Sequence, residues 1–335
     1  GVSINGYSES LSGSSKTKDL ETLFKQIYLQ FTAPRFDAQA FEIIKQNLAT
    51  NLIAKEKQVT SAFQDSLTLA STGHSKRSVL FDQKLIDNVT LEGASKVYRE
   101  RISNANDFTF VFVGDFQESE LLDLATKYLG SIPSTTKTEE VVNHNMRPAK
   151  GKTTVHLEKE METPQTTINV SFNGDMEYSK KNSLELYVLS QLLDKRYMER
   201  IREEEGGSYG VRVGGSVSWE PIGNYNLSVS FNCNPDKTDE LLKIVYGELK
   251  KMETSIGAEE LAEIKSNYKK GVSENQRNNN YWLSNIANNL QKGTPVSDEA
   301  GSIALIESIT TDDLMATAKL INSEPDIIEG VLMPK

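Results

Sequence analysis

Histidine and cysteine are scarce in this chain, and their scarcity limits the catalytic and metal sites it can build. Its 335 residues include one cysteine, Cys233, and three histidines, His74, His144 and His156. A lone cysteine excludes an internal disulfide and a cysteine-rich zinc site. No two histidines lie at helical spacing, and neither H-E-x-x-H nor H-x-x-E-H occurs. The residues present therefore predict no metal site in this chain.

Long apolar runs and excess positive charge are absent as well. No stretch approaches the roughly 18 apolar residues of a membrane-spanning helix. The formal net charge of −10 disfavours a partner bound through its phosphates, such as nucleic acid. The composition, with 37% hydrophobic and 25% charged residues, is that of a globular protein, and the length suits about two domains. Because the first residue is glycine, the absence of a signal peptide indicates nothing about the compartment.

Residues 206–210 read GGSYG and match the G-x-S-x-G pattern of serine hydrolases. In those enzymes the serine joins a strand to a following helix, and the catalytic histidine comes later in the chain. Here Ser208 follows a helical pattern and opens a strand, and every histidine precedes it. The match is therefore accidental. His156 shares its strand face with Glu158 and is interpreted as a surface residue, and His74 as a polar loop residue.

An internal repeat organises the chain. Three pairs of segments resemble each other in the same order, at offsets of 220, 220 and 218 residues: AQAFEIIK (38–45) with AEELAEIK (258–265), LIDNVT (85–90) with LIESIT (305–310), and DLETLFKQIY (19–28) with KTDELLKIVY (237–246). A unit of about 220 residues makes residues 1–115 correspond to residues 221–335. We therefore predict that the chain begins partway through a repeat, with its first unit truncated at the N-terminus.

Apolar and polar residues alternate over 166–173 and 224–233, which is typical of strands with one buried face. Amphipathic helical patterns surround these segments, among them helices predicted over about 37–57, 180–204 and 258–276. Further strands are predicted near 2–12 and over 108–114. Together they predict an α+β fold of two related units, each an antiparallel-rich sheet with helices packed on one face. We predict a truncated unit over 1–130, a polar, proline-bearing linker over 131–150 and a complete unit over 151–335.

The polar face of these strands is rich in Asn and Ser and poor in charge. Two interpretations stay open. The face could line a wet chamber or contact a polypeptide, or it could be the solvated side of an ordinary antiparallel sheet.

The segment RIREEEGGSYGVRVGG (200–215) places Arg202 and Tyr209 on either side of a glycine turn. The glycines can end a helix, and Arg202 near the helix C-terminus can complement its dipole. Tyr209 is in phase with the apolar residues Val211 and Val213, which favours a core or rim position. The residues alone therefore favour a structural role for the pair over a polar substrate clamp.

A resemblance to the pitrilysin family of zinc peptidases changes that balance. The carboxy-terminal half of the family is similar to IREEEGGSYGVRV (201–213), and its bacterial single-chain members resemble residues 11–45, VFVGDF (111–116) and ITTDDL (309–314). The resemblance implies the family's metallohydrolase fold, in which four related α/β units form two halves around a closed chamber. This chain would supply the end of the third unit and the entire fourth.

The resemblance also implies a function. The zinc ion and its H-x-x-E-H motif would belong to the missing N-terminal half of the same polypeptide, and this fragment would bind no cofactor and be inactive alone. Arg202 and Tyr209 would bind the peptide substrate and stabilise its transition state in the parent enzyme. A periplasmic or cell-envelope location is expected by resemblance only. The alternatives are a non-catalytic assembly subunit and a peptide-binding module on the same fold.

Overall fold

The described residues form seven β-strands and twelve α-helices, joined by short 3₁₀ and π-helical turns. The computed structural model describes residues 1–136, 139–204 and 210–335, with residues 202–204 described by their backbone alone. The strands are β1 (Val2–Ile4), β2 (Glu9–Leu11), β3 (Lys152–Lys159), β4 (Thr166–Asp175), β5 (Val211–Ser218), β6 (Asn224–Cys233) and β7 (Asp326–Pro334). The helices are α1 (Leu20–Thr32), α2 (Ala38–Glu56), α3 (Ser61–Ser71), α4 (Gln83–Asn88), α5 (Leu91–Arg101), α6 (Glu118–Leu124), α7 (Lys180–Tyr197), α8 (Thr238–Lys251), α9 (Ala258–Asn275), α10 (Asn279–Gln291), α11 (Glu299–Ser308) and α12 (Thr311–Ser323).

Side-chain caps explain where several helices begin. Thr310 Oγ1 accepts a hydrogen bond from the Asp313 N–H at 3.1 Å, and the Asp313 carboxylate accepts one from the Thr310 N–H at 2.8 Å. This reciprocal capping box satisfies two N–H groups that the first turn of α12 leaves without helical partners. Ser179 caps α7 in a similar way, by accepting from the Asn182 N–H.

The second half of the chain contains a five-stranded sheet with strand order β3-β7-β4-β6-β5. Strand β3 runs parallel to β7, and the other neighbours are antiparallel. One face of the sheet is apolar and packs in the same buried core as residues of α7, α8 and α12; it includes Ile168, Val170, Phe172, Leu227 and Val229. The predicted α+β class, with an antiparallel-rich sheet and helices on its apolar face, is confirmed.

Helix α3 packs on the opposite face of this sheet, above β3 and β7. Phe63 of α3 is fully buried. A Cβ atom at Gly330 of β7 would lie 2.7 Å from Leu67 Cδ2 and 2.8 Å from Phe63 Cζ. The missing side chain at Gly330 therefore lets α3 approach the strand closely. The polar part of that face, on β4, β6 and β5, lies beside this contact.

The N-terminal residues form a two-stranded hairpin, whereas the sequence pattern near 2–12 predicts a single strand. Strands β1 and β2 pair antiparallel, and the Asn5 side chain accepts hydrogen bonds from the backbone N–H groups of Tyr7 and Ser8 between them. An asparagine that bonds to the backbone two residues on is a typical turn former. The turn therefore interrupts the strand at Asn5.

The apolar segment predicted as a strand over 108–114 belongs to neither sheet of the described residues. Its aromatic side chains do alternate toward α1. The Phe24 and Phe112 rings stack at 4.8 Å, and the Phe31 and Phe108 rings meet edge to face at 4.9 Å. Alternation predicts which side faces a core, but a strand also requires a hydrogen-bonded neighbour, and none of the described strands pairs with this segment.

The order of elements repeats along the chain, as the 220-residue offset predicts. The series α1, α2, α3, α4, α5 recurs as α8, α9, α10, α11, α12 about 220 residues later, and the hairpin of β1 and β2 corresponds in position to β6. The chain divides into two compact units that do not follow this sequential order everywhere: one is Gly1–Ile53, Phe81–Val142 and Arg277–Val296, and the other is Ala54–Leu80, Asn143–Gln276 and Ser297–Lys335. Helices α3 and α10 are therefore each grouped with the other repeat. The boundaries 1–130, 131–150 and 151–335 stay a prediction.

Candidate functional site

Tyr209 lies outside the described residues, and so does the side chain of Arg202. The backbone of Arg202 belongs to the π-helical turn Met198–Glu204 that continues α7. The structure therefore does not test whether the two side chains meet, and the pair stays a prediction. The described residues on either side do show how this part of the chain is held.

The helix that leads into Arg202 is anchored in the core. Ile201 is fully buried, and the buried Tyr197 donates a hydrogen bond from its hydroxyl to the Val245 carbonyl at 2.8 Å. Burial raises the pKa of the Tyr197 phenol well above its usual value, so the phenol stays neutral. Near the end of α7, the Arg196 guanidinium bonds the Glu260 carboxylate of α9 at 2.8 Å and lowers the pKa of that carboxyl.

Strand β5, which begins at Val211, is held against the same helix. The Val213 N–H donates to the Asp194 carboxylate of α7 at 3.3 Å. Desolvation raises the pKa of Asp194, and the hydrogen bond from Val213 lowers it to a smaller extent. A Cβ atom at Gly215 would lie 2.8 Å from the Leu186 carbonyl oxygen, so α7 and β5 touch backbone to backbone. One helix thus fixes the chain before and after residues 205–209.

The outward face of β5, β6 and β4 is a surface of small polar residues, which we call the polar floor. Strand register groups it into three cross-strand rows: Arg212, Ser230 and Asn169; Gly214, Ser228 and Ser171; and Ser216, Asn226 and Asn173. Of these nine residues only Arg212 is charged.

The rows differ in how their side chains are satisfied. In the third row Asn226 donates to Asn173 at 2.7 Å, and Asn173 donates to the Asp326 carbonyl at 3.0 Å. In the first row, the side chains of Ser230 and Asn169 form no hydrogen bond to any other described residue, although both are half-buried. Half-buried polar groups that lack protein partners are available to a ligand or to water. The first row is therefore the part of the floor best suited to binding.

None of the nine residues of the polar floor is a histidine. On β3, His156 Nε2 lies 3.7 Å from Glu158 Oε1, and both side chains are exposed. His74 has a φ of 53° in the turn after α3. Within 1–136, 139–204 and 210–335, no group of three or more His, Cys, Asp or Glu residues is arranged to hold a metal ion. These residues do not fit a zinc site, so no zinc chemistry is assigned to them.

The sequence of residues 88–268 matches the family model of the peptidase M16 inactive domain, over more than half of the chain. The chain belongs to the peptidase M16 inactive-domain family. This finding confirms the resemblance to the carboxy-terminal half of pitrilysin-family peptidases.

Individual M16 relatives agree in sequence and fold. The probable zinc protease PqqL of Escherichia coli K12 is 23% identical over 334 residues, which is 99% of this chain and 36% of PqqL. The crystal structure of the E. coli periplasmic protease PqqL superimposes with a TM-score of 0.82 at 23% identity, over 96% of this chain and 36% of that one. The structure of the first half of the same protease gives a TM-score of 0.74 at 18% identity, over 99% of this chain and 75% of that one.

These comparisons establish the family and the fold of this M16 inactive domain. The chain is related to zinc proteases and has the fold of their repeated halves, and it spans about a third of the length of PqqL. In the described part of the chain no helix combines the length and the apolar character needed to cross a bilayer.

Arg212 and the first row were not singled out from the sequence, although one charge among the outward Asn and Ser positions could have drawn attention to them.

Proposed function

We propose that this chain is the non-metal half of a zinc metalloendopeptidase and that it closes a chamber over a peptide substrate. The observation that carries the proposal is the polar floor, whose first row has side chains free to bind. A peptide backbone offers donors and acceptors at every residue, and neutral Asn and Ser groups can match it without requiring one sequence. The floor also begins at β5, directly after residues 202–209.

Within that function, Arg202 and Tyr209 bind the substrate and stabilise the transition state. Peptide hydrolysis develops negative charge on the scissile carbonyl oxygen, and a neutral phenol donor held toward it lowers the barrier. The Arg202 guanidinium would orient the substrate backbone through its planar set of donors. The anchoring of Ile201 in the core and of Val213 on Asp194 supports this assignment, because both flanks of the pair are fixed to α7.

The proposal includes partners and a compartment. The zinc ion would be held by residues of an N-terminal half of the same polypeptide, so the chain alone is expected to cleave nothing. Unfolded protein or peptide is the substrate class. A periplasmic location is proposed because the related PqqL of E. coli is described as a periplasmic protease.

Kinetics of the full-length protein test the pair. Tyr209→Phe removes one transition-state donor and is expected to lower kcat by about 10²- to 10³-fold. Arg202→Ala is expected to lower kcat/KM for peptide cleavage. Tyr187→Phe is the matched control, because Tyr187 is a 40% exposed tyrosine on α7 that should not alter turnover. Unchanged turnover in both Tyr209→Phe and Arg202→Ala would remove the pair from the mechanism.

Two other functions remain distinct alternatives within the same fold. A peptide-binding module would bind extended peptides through the polar floor, while the zinc-loaded full-length protein left them intact. A non-catalytic assembly subunit would neither bind nor cleave peptides. Isothermal titration of peptides, run beside the cleavage assay, separates these alternatives from the peptidase.

A further inference from the structure

Arg212 is an exposed cation, and the other eight residues of the polar floor are neutral. It lies at the start of β5, opposite Ser230 in the register with β6. No carboxylate within the described parts of the chain lies within 4.0 Å of its guanidinium. Other arginines are paired: Arg196 with Glu260 at 2.8 Å, and Arg147 with Asp175 at 3.1 Å.

No carboxylate of the described residues pairs with the Arg212 guanidinium, even though the net charge is −10; Asp194 accepts from the neighbouring Val213 N–H instead. On the floor side of β4, the nearest acid along the strand is Asp175, six residues beyond Asn169. Six residues of a strand span about 20 Å, which exceeds the Debye length of roughly 8 Å at physiological ionic strength. Asp175 is also engaged by Arg147. Within the described residues Arg212 is therefore an exposed cation that forms no ion pair.

We propose that Arg212 selects peptides by binding a carboxylate, with Ser230 and Asn169 as neighbouring hydrogen-bonding groups. The inference rests on the proposed function, because it requires a peptide on the polar floor. A guanidinium forms two parallel hydrogen bonds to a carboxylate, and this geometry favours it over an amide of similar shape. The carboxylate can come from an Asp or Glu side chain or from the carboxy terminus of the peptide.

Direct binding measures this selection. The probes are an acetylated, amidated octapeptide with one central Glu, its Gln twin, and the Gln twin with a free carboxy terminus. We expect the wild-type protein to bind one of the carboxylate peptides about three- to tenfold more tightly than the amidated Gln twin, as for a partly exposed charged pair. Arg212→Gln should bring that ratio to about one, because the variant no longer distinguishes a carboxylate from an amide. Which carboxylate peptide shows the ratio identifies the source.

Two further variants separate the guanidinium from net charge. Arg212→Lys keeps the charge without the planar fork and should retain part of the ratio. Lys319→Gln removes one exposed charge from α12, in the helix layer on the other side of the sheet, and should retain all of it. The inference is overturned if Arg212→Gln leaves the wild-type ratio intact, if it weakens all three peptides equally, or if Lys319→Gln has the same effect.

The outcome is distinguishable from failure of the proposed function. Arg212-dependent binding without cleavage by the full-length protein would overturn the peptidase and keep Arg212 as a selectivity residue of a peptide-binding module. Peptide cleavage together with peptide binding that does not depend on Arg212 would keep the peptidase and overturn the role of Arg212. No binding of any probe to the wild-type protein would contradict both.

Discussion

Asp313 shows at the level of one residue how a cap and an ion pair combine. Its carboxylate accepts hydrogen bonds from Lys181 Nζ and from the Thr310 N–H, each at 2.8 Å. Lys181 first and Thr310 second lower the pKa of Asp313 to about 2. Because the folded-state pKa is depressed, the stabilisation is present above the ordinary value near 4 and is lost as the pH falls from about 4 through about 2.

We therefore expect Asp313→Asn to lower the free energy of unfolding by about 1 kcal/mol at pH 7, as for the loss of a helix cap. The difference from wild type should shrink as the pH falls below about 4. Urea titrations followed by circular dichroism at pH 7, 5 and 3 measure it. Asp312→Asn is the control, because Asp312 is an exposed acid in the same turn that forms no cap. Equal effects of the two variants at pH 7 would contradict this account.

At the residue scale, the sequence predicted the candidate site only in part. Alternation predicted that Asn and Ser share one face of β4 and β6, since a side-chain period of two is a local property. It could not predict that Asn173 is satisfied by the Asp326 carbonyl while Asn169 makes no bond to another described residue. That difference arises from β7, 153 residues further along the chain. Arg202 and Tyr209 stay predictions that the resemblance suggested.

At the scale of single elements, the contact between α3 and β7 depends on the absence of a side chain. Gly330→Ala would place a Cβ atom within 3 Å of Phe63 and Leu67. The Leu67 side chain can move, so we expect a loss of about 1–3 kcal/mol, typical of overpacking. Thermal unfolding followed by circular dichroism measures it.

A glycine with free space is the matched control. Gly271 lies in α9, and a Cβ atom there would meet nothing within 4 Å. Gly271→Ala should stabilise the protein by about 0.5–1 kcal/mol, because glycine costs conformational entropy in a helix. Adding Leu67→Ala to Gly330→Ala should restore part of the space and give a non-additive double-mutant cycle. Destabilisation by Gly271→Ala equal to that by Gly330→Ala would refute the steric explanation.

Helices with a long sequence pattern were predicted correctly, whereas short helices and turns that depend on packing against other elements were not. The long helical patterns 37–57 and 258–276 correspond to α2 and α9 within one residue at each end. The short helices α4 and α11 were not predicted; six or ten residues give little periodicity to read. The pattern over 180–204 predicted one helix, but α7 ends at Tyr197 and continues as a π-helical turn. Such turns depend on packing, which periodicity does not report.

At the scale of the whole molecule, sequence similarity predicted the repeat but not the grouping of its parts. Offsets near 220 residues are visible because equivalent helices bury equivalent positions. The grouping of 54–80 with the second half of the chain depends on long-range contacts, such as those of Phe63 and Leu67 with Gly330. A division by sequence order alone would separate α3 from the strands it covers.

This grouping makes the second half of the chain dependent on a segment that precedes it by more than 60 residues. A fragment of residues 143–335 lacks α3, so apolar residues of the covered face, including the buried Ile328 and Leu332, become exposed. We expect a Tm about 10 °C below that of the complete chain, if the loss is roughly 3 kcal/mol, together with increased binding of a hydrophobic dye. A synthetic peptide of residues 54–80 should raise the Tm and displace the dye, and the same peptide with Phe63→Ala should do so weakly. If the fragment alone matched the complete chain, or if both peptides acted equally, α3 would not be part of this folding unit.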